Sequence, residues 1–230
     1  MKEVLQDSVY FGVLISLSSY IIGLWIRRKT KLSYMNPLLI AIIITICFLL
    51  ISGVSYKSYS STSSWISYLL TPATICLAVP RYQQIELLKK NSKAILFGIL
   101  SGVLSSLVSI LLLALLFSFD HNTYVTFLPK SITTAIGMGI SEELGGYVSI
   151  SVVIIIITGV LGNIFAEGIL KLLRIEEPIA KGIAIGCSSH AVGTAKAMEM
   201  GAIEGAISGL SIVVCGILTV IGASIFALFL

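Results

Sequence analysis

Long apolar runs constrain this chain of 230 residues more than any other feature. Three of them cover residues 9–26, 94–117 and 205–230, close to or above the ~20 residues with which a helix crosses a bilayer. Backbone polar groups find no water in hydrocarbon, so such runs form helices. Charged residues make up only 11% of the chain, against about 25% in soluble domains. The sequence therefore predicts an all-α, polytopic integral membrane protein.

The apolar segments predict seven or eight transmembrane segments in a single membrane domain that covers residues 1–230. Within it, residues 1–64 form an N-terminal helix pair, and residues 65–230 form the core. The serine- and tyrosine-rich stretch 55–64 is expected to be an external loop between the two parts.

Positive charges predict the orientation of this domain. Four of them lie between Arg27 and Lys31, directly after the first helix, and a second group lies within residues 81–93. The positive-inside rule makes both regions cytoplasmic and places the N-terminus outside. The second helix begins at Asn36-Pro37, where a proline loses no hydrogen bond.

Proline and glycine are expected to break helices of the core. Pro72 and Pro80 interrupt the third segment, and Pro129 opens a second interrupted segment, because proline removes a backbone donor and clashes with the preceding turn. Gly186 marks a further break in a segment rich in small residues. The predicted helices are therefore broken or re-entrant at several points.

An internal repeat is indicated when the chain is compared with itself at an offset of 57 residues. Residues 70–116 and 127–173 share 13 identities in 47 pairs, against roughly four or five expected by chance. Secondary transporters build a midplane site from duplicated units with interrupted helices. The repeat favours a segment 129–146 that crosses the membrane. The positive charges of the turn 171–181 favour re-entry instead, and both alternatives stay open.

One candidate site is the polar segment that follows Pro129. Lys130, Ser131, Thr133 and Thr134 lie where a helix begins, and free N–H groups with the positive end of the helix dipole favour an anion there. One lysine and three hydroxyls would suit a carboxylate. Alternatively, Lys130 reaches the outer interface and the hydroxyls bond back to the helix.

A second candidate site lies between two apolar runs. Its substrate-binding candidates are Ser188, Ser189, His190, Gly193 and Thr194. They combine hydrogen-bond donors with a group that titrates near neutral pH, as proton-coupled movement of a small acid would require. The alternative is that these residues pack helices together and that the histidine is simply hydrogen-bonded.

Three residues are candidates for proton coupling: His190, Glu142 and Glu167. Ionisable groups inside membrane segments mark functional sites by default. Glu167 shares a helix face with Asn163, four residues earlier. It could equally lie near the end of its helix and reach the headgroups.

Other functional classes are poorly supported. The chain has no nucleophile elbow, and its two aspartates lie far from the histidine cluster, so we expect no enzyme activity. Two histidines and four scattered cysteines lack the spacing of metal ligands. We therefore expect no metal and no cofactor. No basic patch with interleaved aromatic residues occurs, which excludes nucleic acid as a partner.

Several motifs resemble those of the LrgB/CidB family of bacterial membrane proteins. The similar stretches are PKSITT at 129–134, LGG at 144–146, SHAVGTAKAMEMG at 189–201, NPLLIAI at 36–42 and LLTPATICLAVPRY at 69–82. The resemblance covers nearly the whole chain. Among its departures, Ala135 stands where the family often has proline, and Lys196 replaces an arginine, which keeps the charge but loses the bidentate fork.

The resemblance implies two functional descriptions. One is transport, since bacterial relatives are implicated in pyruvate movement and a plastid relative carries glycolate and glycerate. The other is antiholin-like control of murein hydrolases and lysis with a small holin-like membrane partner of the LrgA/CidA type. Both imply a multi-pass protein of the bacterial cell membrane, in contact with lipid, and we expect a homo-oligomer. The broken helices and polar groups favour a small organic acid as the transported partner.

Overall fold

The structure is a computed structural model that describes residues 8, 10–30, 36–69, 72, 82 and 84–230. The chain divides into two compact units, Met1–Cys76 and Leu77–Leu230, whereas the predicted boundary between the N-terminal helix pair and the core lies at residue 64. Most of residues 70–83, including Pro80, lie outside the described residues. The helix break expected between Pro72 and Pro80 therefore stays a prediction.

The described part of the first unit contains three helices: α1 Phe11–Thr30, α2 Pro37–Ser52 and α3 Tyr56–Tyr68. The predicted start of α2 is confirmed, because the Asn36 side chain accepts hydrogen bonds from the N–H groups of Leu38 and Leu39 at 2.8 and 3.2 Å. Gly23 of α1 lets the backbone of Pro37 approach closely. A side chain at that position would collide with the start of α2.

The prediction of an external loop at 55–64 is wrong, because this stretch forms most of α3. The hydroxyls of three serines and of Thr62 bond to carbonyls three or four residues earlier in the helix, which satisfies them within the helix itself. The Gly12 N–H of α1 donates to Thr62 Oγ1 at 2.9 Å, and Ser16 Oγ meets the Tyr59 hydroxyl at 2.8 Å. Packing against α1 therefore overrides the weak helix propensity of serine.

The described part of the second unit contains seven helices and a final 3-10 turn, Ala227–Phe229. The helices are α4 Ile85–Lys90, α5 Ser92–Leu116, α6 His121–Phe127, α7 Thr134–Glu143, α8 Val148–Leu172, α9 Pro178–Met200 and α10 Ala202–Phe226. The main buried cluster joins α5, the α6–α7 region, α10 and Cys187 of α9, and it includes Leu107, Leu128 and Ile207.

Four helices are long and apolar enough to cross a membrane: α1, α5, α8, and α10 with its 3-10 turn. Helix α2 is also apolar but is shorter than these four. The secondary structure of the described residues is entirely helical, which confirms the all-α class. The count of seven or eight spans and the internal repeat stay predictions.

The first hairpin consists of α6, the turn 128–133 and α7, and it leaves the bundle at the end where it entered. The N–H of Tyr147, just after α7, donates to Thr126 Oγ1 at 2.8 Å. Ser151 Oγ bonds to the Thr126 carbonyl and to Ser141 Oγ, both at 2.8 Å. The segment therefore returns to the end of the bundle where it began. Whether it crosses a membrane or is re-entrant stays a prediction.

The second hairpin is α9, which folds back on itself at His190. This residue has φ 42° and ψ −139°, outside helical values. A methyl group placed on Gly193 would lie 3.0 Å from Ile185 Cγ2 and 3.3 Å from its carbonyl oxygen. Eight residues span about 12 Å along a straight helix, so residues 178–189 and 191–200 form two antiparallel arms.

Gly186 lies inside the first arm of this hairpin and not at its break. A methyl group placed there would come within 2.5 Å of the Ser208 carbonyl oxygen and 2.7 Å of Ser211 Cβ, both on α10. The missing side chain permits a close helix contact. The break expected at Gly186 falls four residues later, at His190.

The two hairpins enter from opposite ends of the bundle, and their inner parts meet at Ile155 of α8. Gly137 of the first hairpin packs against the Ile155 side chain, and His190 Nε2 bonds to the Ile155 carbonyl at 2.9 Å. Near the far end of α8, Leu170 shares a buried cluster with Ile185 of the second hairpin. Helix α8 therefore runs from the base of one hairpin to the base of the other.

The two ends of the bundle differ in charge. The first arm of the second hairpin runs alongside α5, since Gly98 packs on Ile183, so α5 begins at the end where α8 finishes. That end is named the basic end for the lysines and arginine of residues 89–93 and 171–181, although it also carries glutamates such as Glu176 and Glu177. The opposite end carries Glu142 and Glu143.

A pair of glycine substitutions tests the packing of the second hairpin. We expect Gly186→Ala to lower the free energy of unfolding by about 1–3 kcal/mol, because the new methyl group meets backbone atoms that cannot move aside. Gly168→Ala of α8 is the matched control, since nothing lies within 4 Å of the added group, and alanine favours the helix. Thermal unfolding in detergent measures both. Equal melting temperatures in the two variants would contradict the close approach.

Candidate functional site

A groove of about 790 Å³ opens between α5, the first arm of the second hairpin and the turn of the first hairpin. It extends from the basic end, at Asn91 and Glu177, to the middle of the bundle, at Lys130 and Ser188. Its polar lining consists of Asn91, Ser101, Ser105, Ser106, Ser109, Lys130, Ser131, Glu177 and Ser188. The two candidate segments thus contribute to one cavity, but through only three of the predicted residues.

Lys130 supplies the positive charge at the inner part of the groove. Its Nζ donates to Ser131 Oγ at 2.9 Å, and Ser131 Oγ lies 3.3 Å from Ser106 Oγ of α5. No carboxylate of the described residues lies within ion-pair distance of Lys130. Between Lys93 and Lys171 the sequence contains no other lysine or arginine. Within the described part of the chain, this region of the bundle therefore has one cation that a protein carboxylate does not neutralise.

Serines of α5 line the groove, although none of them was among the predicted site residues. Ser101, Ser105 and Ser109 recur every four residues, and Ser106 faces the turn of the first hairpin. Residues four apart share a helix face. The sequence therefore already indicated a polar face on this otherwise apolar helix.

The other two hydroxyls after Pro129 do not line the groove. Thr133 precedes α7 as its N-cap residue with extended backbone angles, and Thr134 is the first residue of that helix. Pro129 itself lies in the turn between α6 and α7. The helix therefore begins at Thr134, and not directly after Pro129 as was predicted. Lys130 and Ser131 lie in the turn before it and line the groove.

His190 is buried at the turn of the second hairpin and does not reach the groove lining. It is 4% exposed, and a carbonyl can only accept, so its Nε2–H donates to the Ile155 carbonyl at 2.9 Å. The ring lies against Gly159, where a methyl group would come within 2.5 Å of the ring carbon Cε1. In this geometry His190 fixes the hairpin turn to the middle of α8.

The remaining small residues of the second segment pack helices together. Ser189 lies against Gly162 of α8 and against Gly193 of its own hairpin. Thr194 Oγ1 bonds to Ser208 Oγ of α10 at 2.7 Å and donates to the His190 carbonyl at 3.0 Å. Only Ser188 of this segment faces the groove. The structure therefore favours the packing interpretation for the rest of the segment.

Asn163 and Glu167 both face the second hairpin, as their spacing predicts. Asn163 Nδ2 donates to the Val192 carbonyl at 2.8 Å. Glu167 is ion-paired with Lys171 at 2.9 Å and with Lys196 at 3.2 Å. These contacts tie the second arm of the hairpin to α8.

Glu167 lies at the edge of a second cavity, of about 410 Å³, at the basic end. Its charged lining residues are Glu167, Lys171, Arg174, Glu176, Lys181, Lys196, Glu199 and Glu204. The four positive and four negative charges balance, so this cavity does not select an anion. Glu142 is exposed at the opposite end, away from both cavities.

The described residues contain no group of three or more histidine, cysteine or acidic side chains that could hold a metal ion. At the inner part of the groove the polar groups are the Lys130 ammonium and serine hydroxyls, which bind anions through charge-assisted hydrogen bonds, whereas Glu177 and Asn91 line its mouth at the basic end.

The described residues thus define an all-helical protein with four candidate membrane spans, two hairpins that fold back within the bundle and a hydroxyl-lined groove. The model of the LrgB-like family matches residues 16–229. The chain therefore belongs to the LrgB-like family, as its motifs suggested.

Its relatives carry holin-like and antiholin-like names. The chain is 36% identical over 219 residues to "Holin-like protein CidB" of Staphylococcus epidermidis (strain ATCC 12228 / FDA PCI 1200), with 95% of each chain covered. It is 36% identical over 220 residues to "Antiholin-like protein LrgB" of Bacillus subtilis (strain 168), again with 95% of each covered. No solved structure matches the chain.

Two substitutions at His190 test the unusual backbone of the hairpin turn. Both His190→Ala and His190→Gly lose the ring and its hydrogen bond. Alanine keeps a strain of order 1–3 kcal/mol at positive φ, whereas glycine adopts these angles freely at a cost of about 0.5–1 kcal/mol in unfolded-chain entropy. We expect the glycine variant to be more stable, by about 1 kcal/mol, in thermal unfolding. If the alanine variant is the more stable one, the positive φ is wrong.

Proposed function

We propose that this protein carries small monocarboxylates, of the pyruvate, glycolate and glycerate class, across the bacterial cell membrane. The observation that carries the proposal is Lys130, the ammonium group at the inner part of a hydroxyl-lined groove, with no ion-paired carboxylate in the described residues. An unpaired charge among apolar helices costs free energy. An anionic substrate would relieve that cost each time it binds.

The hydroxyls around Lys130 suit the second polar group of such acids. Ser131, Ser106 and Ser109 line the groove beside Lys130, and Ser188 lines it on the side of the second hairpin. Serine hydroxyls both donate and accept, so they can bond a 2-oxo or a 2-hydroxy group. The substrate carboxylate would bind Lys130, and the oxygen on the next carbon would bind these serines. Every polar group at the inner end of the groove would then have a partner.

The opposed hairpins give this site a route to both sides of the membrane. In our proposal α5, α8 and α10 cross the membrane, and the basic end lies in the cytoplasm, as the positive-inside rule requires. The groove opens toward that end. Transporters that place a site between two inverted units expose it alternately by moving one unit against the other. Movement of the first hairpin would expose Lys130 to the outside.

A second candidate function rests on the names of the relatives, which favour it more directly than transport. Those proteins are called holin-like and antiholin-like. The chain would then act with a small LrgA/CidA-type membrane protein to restrain murein hydrolases and lysis. The two roles are compatible if carboxylate flux alters the conditions for lysis, but they differ in whether this chain alone moves the acid.

Uptake into liposomes tests the carrier proposal. We expect liposomes that contain this chain alone to accumulate labelled pyruvate or glycolate. A hydrogen bond to a charged group contributes about 1.5–3 kcal/mol, so Lys130→Ala should reduce uptake roughly tenfold or more.

Lys93→Ala is the matched control for this experiment. Lys93 is exposed at the start of α5 and does not line the groove, so its loss should leave uptake unchanged. Uptake that survives Lys130→Ala would refute the site. If wild-type liposomes take up nothing until the small partner is added, the holin-related function replaces the carrier.

Thiol labelling of intact cells tests the proposed topology. In a variant whose four cysteines are replaced by serine, single cysteines are introduced at His121 and Glu143, the two ends of the first hairpin, and at Glu176. All three positions are exposed. A membrane-impermeant maleimide should label the first two in intact cells and the third only after permeabilisation. If the Glu143→Cys variant is labelled only after permeabilisation, the first hairpin crosses the membrane.

A further inference from the structure

Two buried cysteines of the second unit lie in contact. The sulfur atoms of Cys187 and Cys215 are 3.1 Å apart, and both are free thiols. A disulfide has a sulfur–sulfur bond of about 2.05 Å. The two sulfurs need to approach by only about 1 Å to form one.

The two cysteines belong to different structural elements. Cys187 lies in the first arm of the second hairpin, three residues before the turn at His190, and Cys215 lies in α10. Helix packing near them is close, since Gly186 contacts α10 at Ser208 and Ser211. A bond between these two sulfurs would tie the hairpin covalently to α10.

One cysteine of the pair is accessible from the groove. Cys187 is 8% exposed and lines the groove that contains Lys130, whereas Cys215 is 2% exposed. Gly102 of α5 leaves room beside the Cys187 sulfur, since a methyl group there would lie 3.2 Å from it. A small oxidant that enters the groove therefore meets Cys187 first, with Cys215 directly behind it.

We propose that Cys187 and Cys215 form a reversible intramolecular disulfide, with Cys187 as the attacked thiol and Cys215 as the resolving thiol. A hydroperoxide is the oxidant. Its terminal oxygen is transferred to the Cys187 sulfur, the O–O bond breaks, and the alcohol or water leaves, which gives a sulfenic acid. The Cys215 sulfur then attacks that of Cys187, the S–O bond breaks, and water leaves. Cys187 and Cys215 together lose two electrons and two protons, and a dithiol reductant restores them.

The other cysteines provide an internal comparison. Cys47 lies in α2 of the first unit and is exposed, and Cys76 lies outside the described residues. Replacing both by serine leaves a protein whose only thiols are the proposed pair. The Cys215→Ser variant of that protein keeps the accessible thiol but has nothing to resolve the sulfenic acid.

The test is peroxide treatment of the Cys47→Ser/Cys76→Ser protein in detergent, followed by denaturation and alkylation with a maleimide. We expect the treated protein to lose two hydrogen atoms in intact mass, to take up no maleimide, and to take up two after reduction with dithiothreitol. Bridging should be at least tenfold faster in the folded protein than in the same chain unfolded in denaturant, because folding holds the sulfurs together.

Three results would overturn the proposal: both thiols remain reactive, Cys187 gains oxygen without bridging, or the folded and unfolded chains bridge at equal rates. Cys215→Ser should instead yield a sulfenic acid that a dimedone-type reagent traps. The measurement follows sulfur chemistry and not uptake, so it is independent of the proposed carrier function.

Discussion

The fold of the second unit depends on how it satisfies backbone polar groups where helices are interrupted inside an apolar bundle. Hydrocarbon offers no hydrogen bonds, so each interruption needs a partner within the protein. At the second hairpin, Asn163 donates to the carbonyl of Val192 and Thr194 to that of His190. At the first hairpin, the Tyr147 N–H that follows α7 donates to Thr126 Oγ1, and Ser151 Oγ of α8 donates to the Thr126 carbonyl. These side chains allow the chain to turn back within the bundle.

The proposed site follows from this arrangement. Because the two hairpins enter from opposite ends and meet at Ile155, the turn of the first brings Lys130 to the middle of α5, where Ser106 contacts Ser131. The first arm of the second hairpin forms the other wall of the groove. A polar group placed at mid-height between two opposed elements can be opened to either side by moving one of them, which is the geometric requirement for a carrier.

The sequence predicted the long helices well, because an apolar run of this length satisfies its backbone hydrogen bonds in a bilayer by forming a helix. It also identified both polar segments, but it could not assign the individual roles of their residues. Gly186 and His190 are four residues apart, and either could have been the break. In the structure, the contact with Ser208 shows that Gly186 packs against α10. The backbone angles of His190 show that the chain turns at that residue. Ser101, Ser105 and Ser109 were overlooked although their spacing of four residues places them on one helix face, because a single serine in an apolar helix does not show what that face contacts. The helix at 55–64 was missed because serine propensity favours a loop.

The fold-back of α9 is the central claim, since the histidine turn and the charged cavity at the basic end both require it. Its most direct test is cross-linking between cysteines introduced at Lys181 and Glu199, which line one cavity of about 410 Å³. In a straight helix these 18 residues would span about 27 Å. With the native cysteines replaced by serine, a bifunctional maleimide shorter than half that distance should join the two positions within one chain in native membranes. Failure to join them, while each cysteine alone reacts with maleimide, would mean that α9 is straight and that the hairpin does not exist.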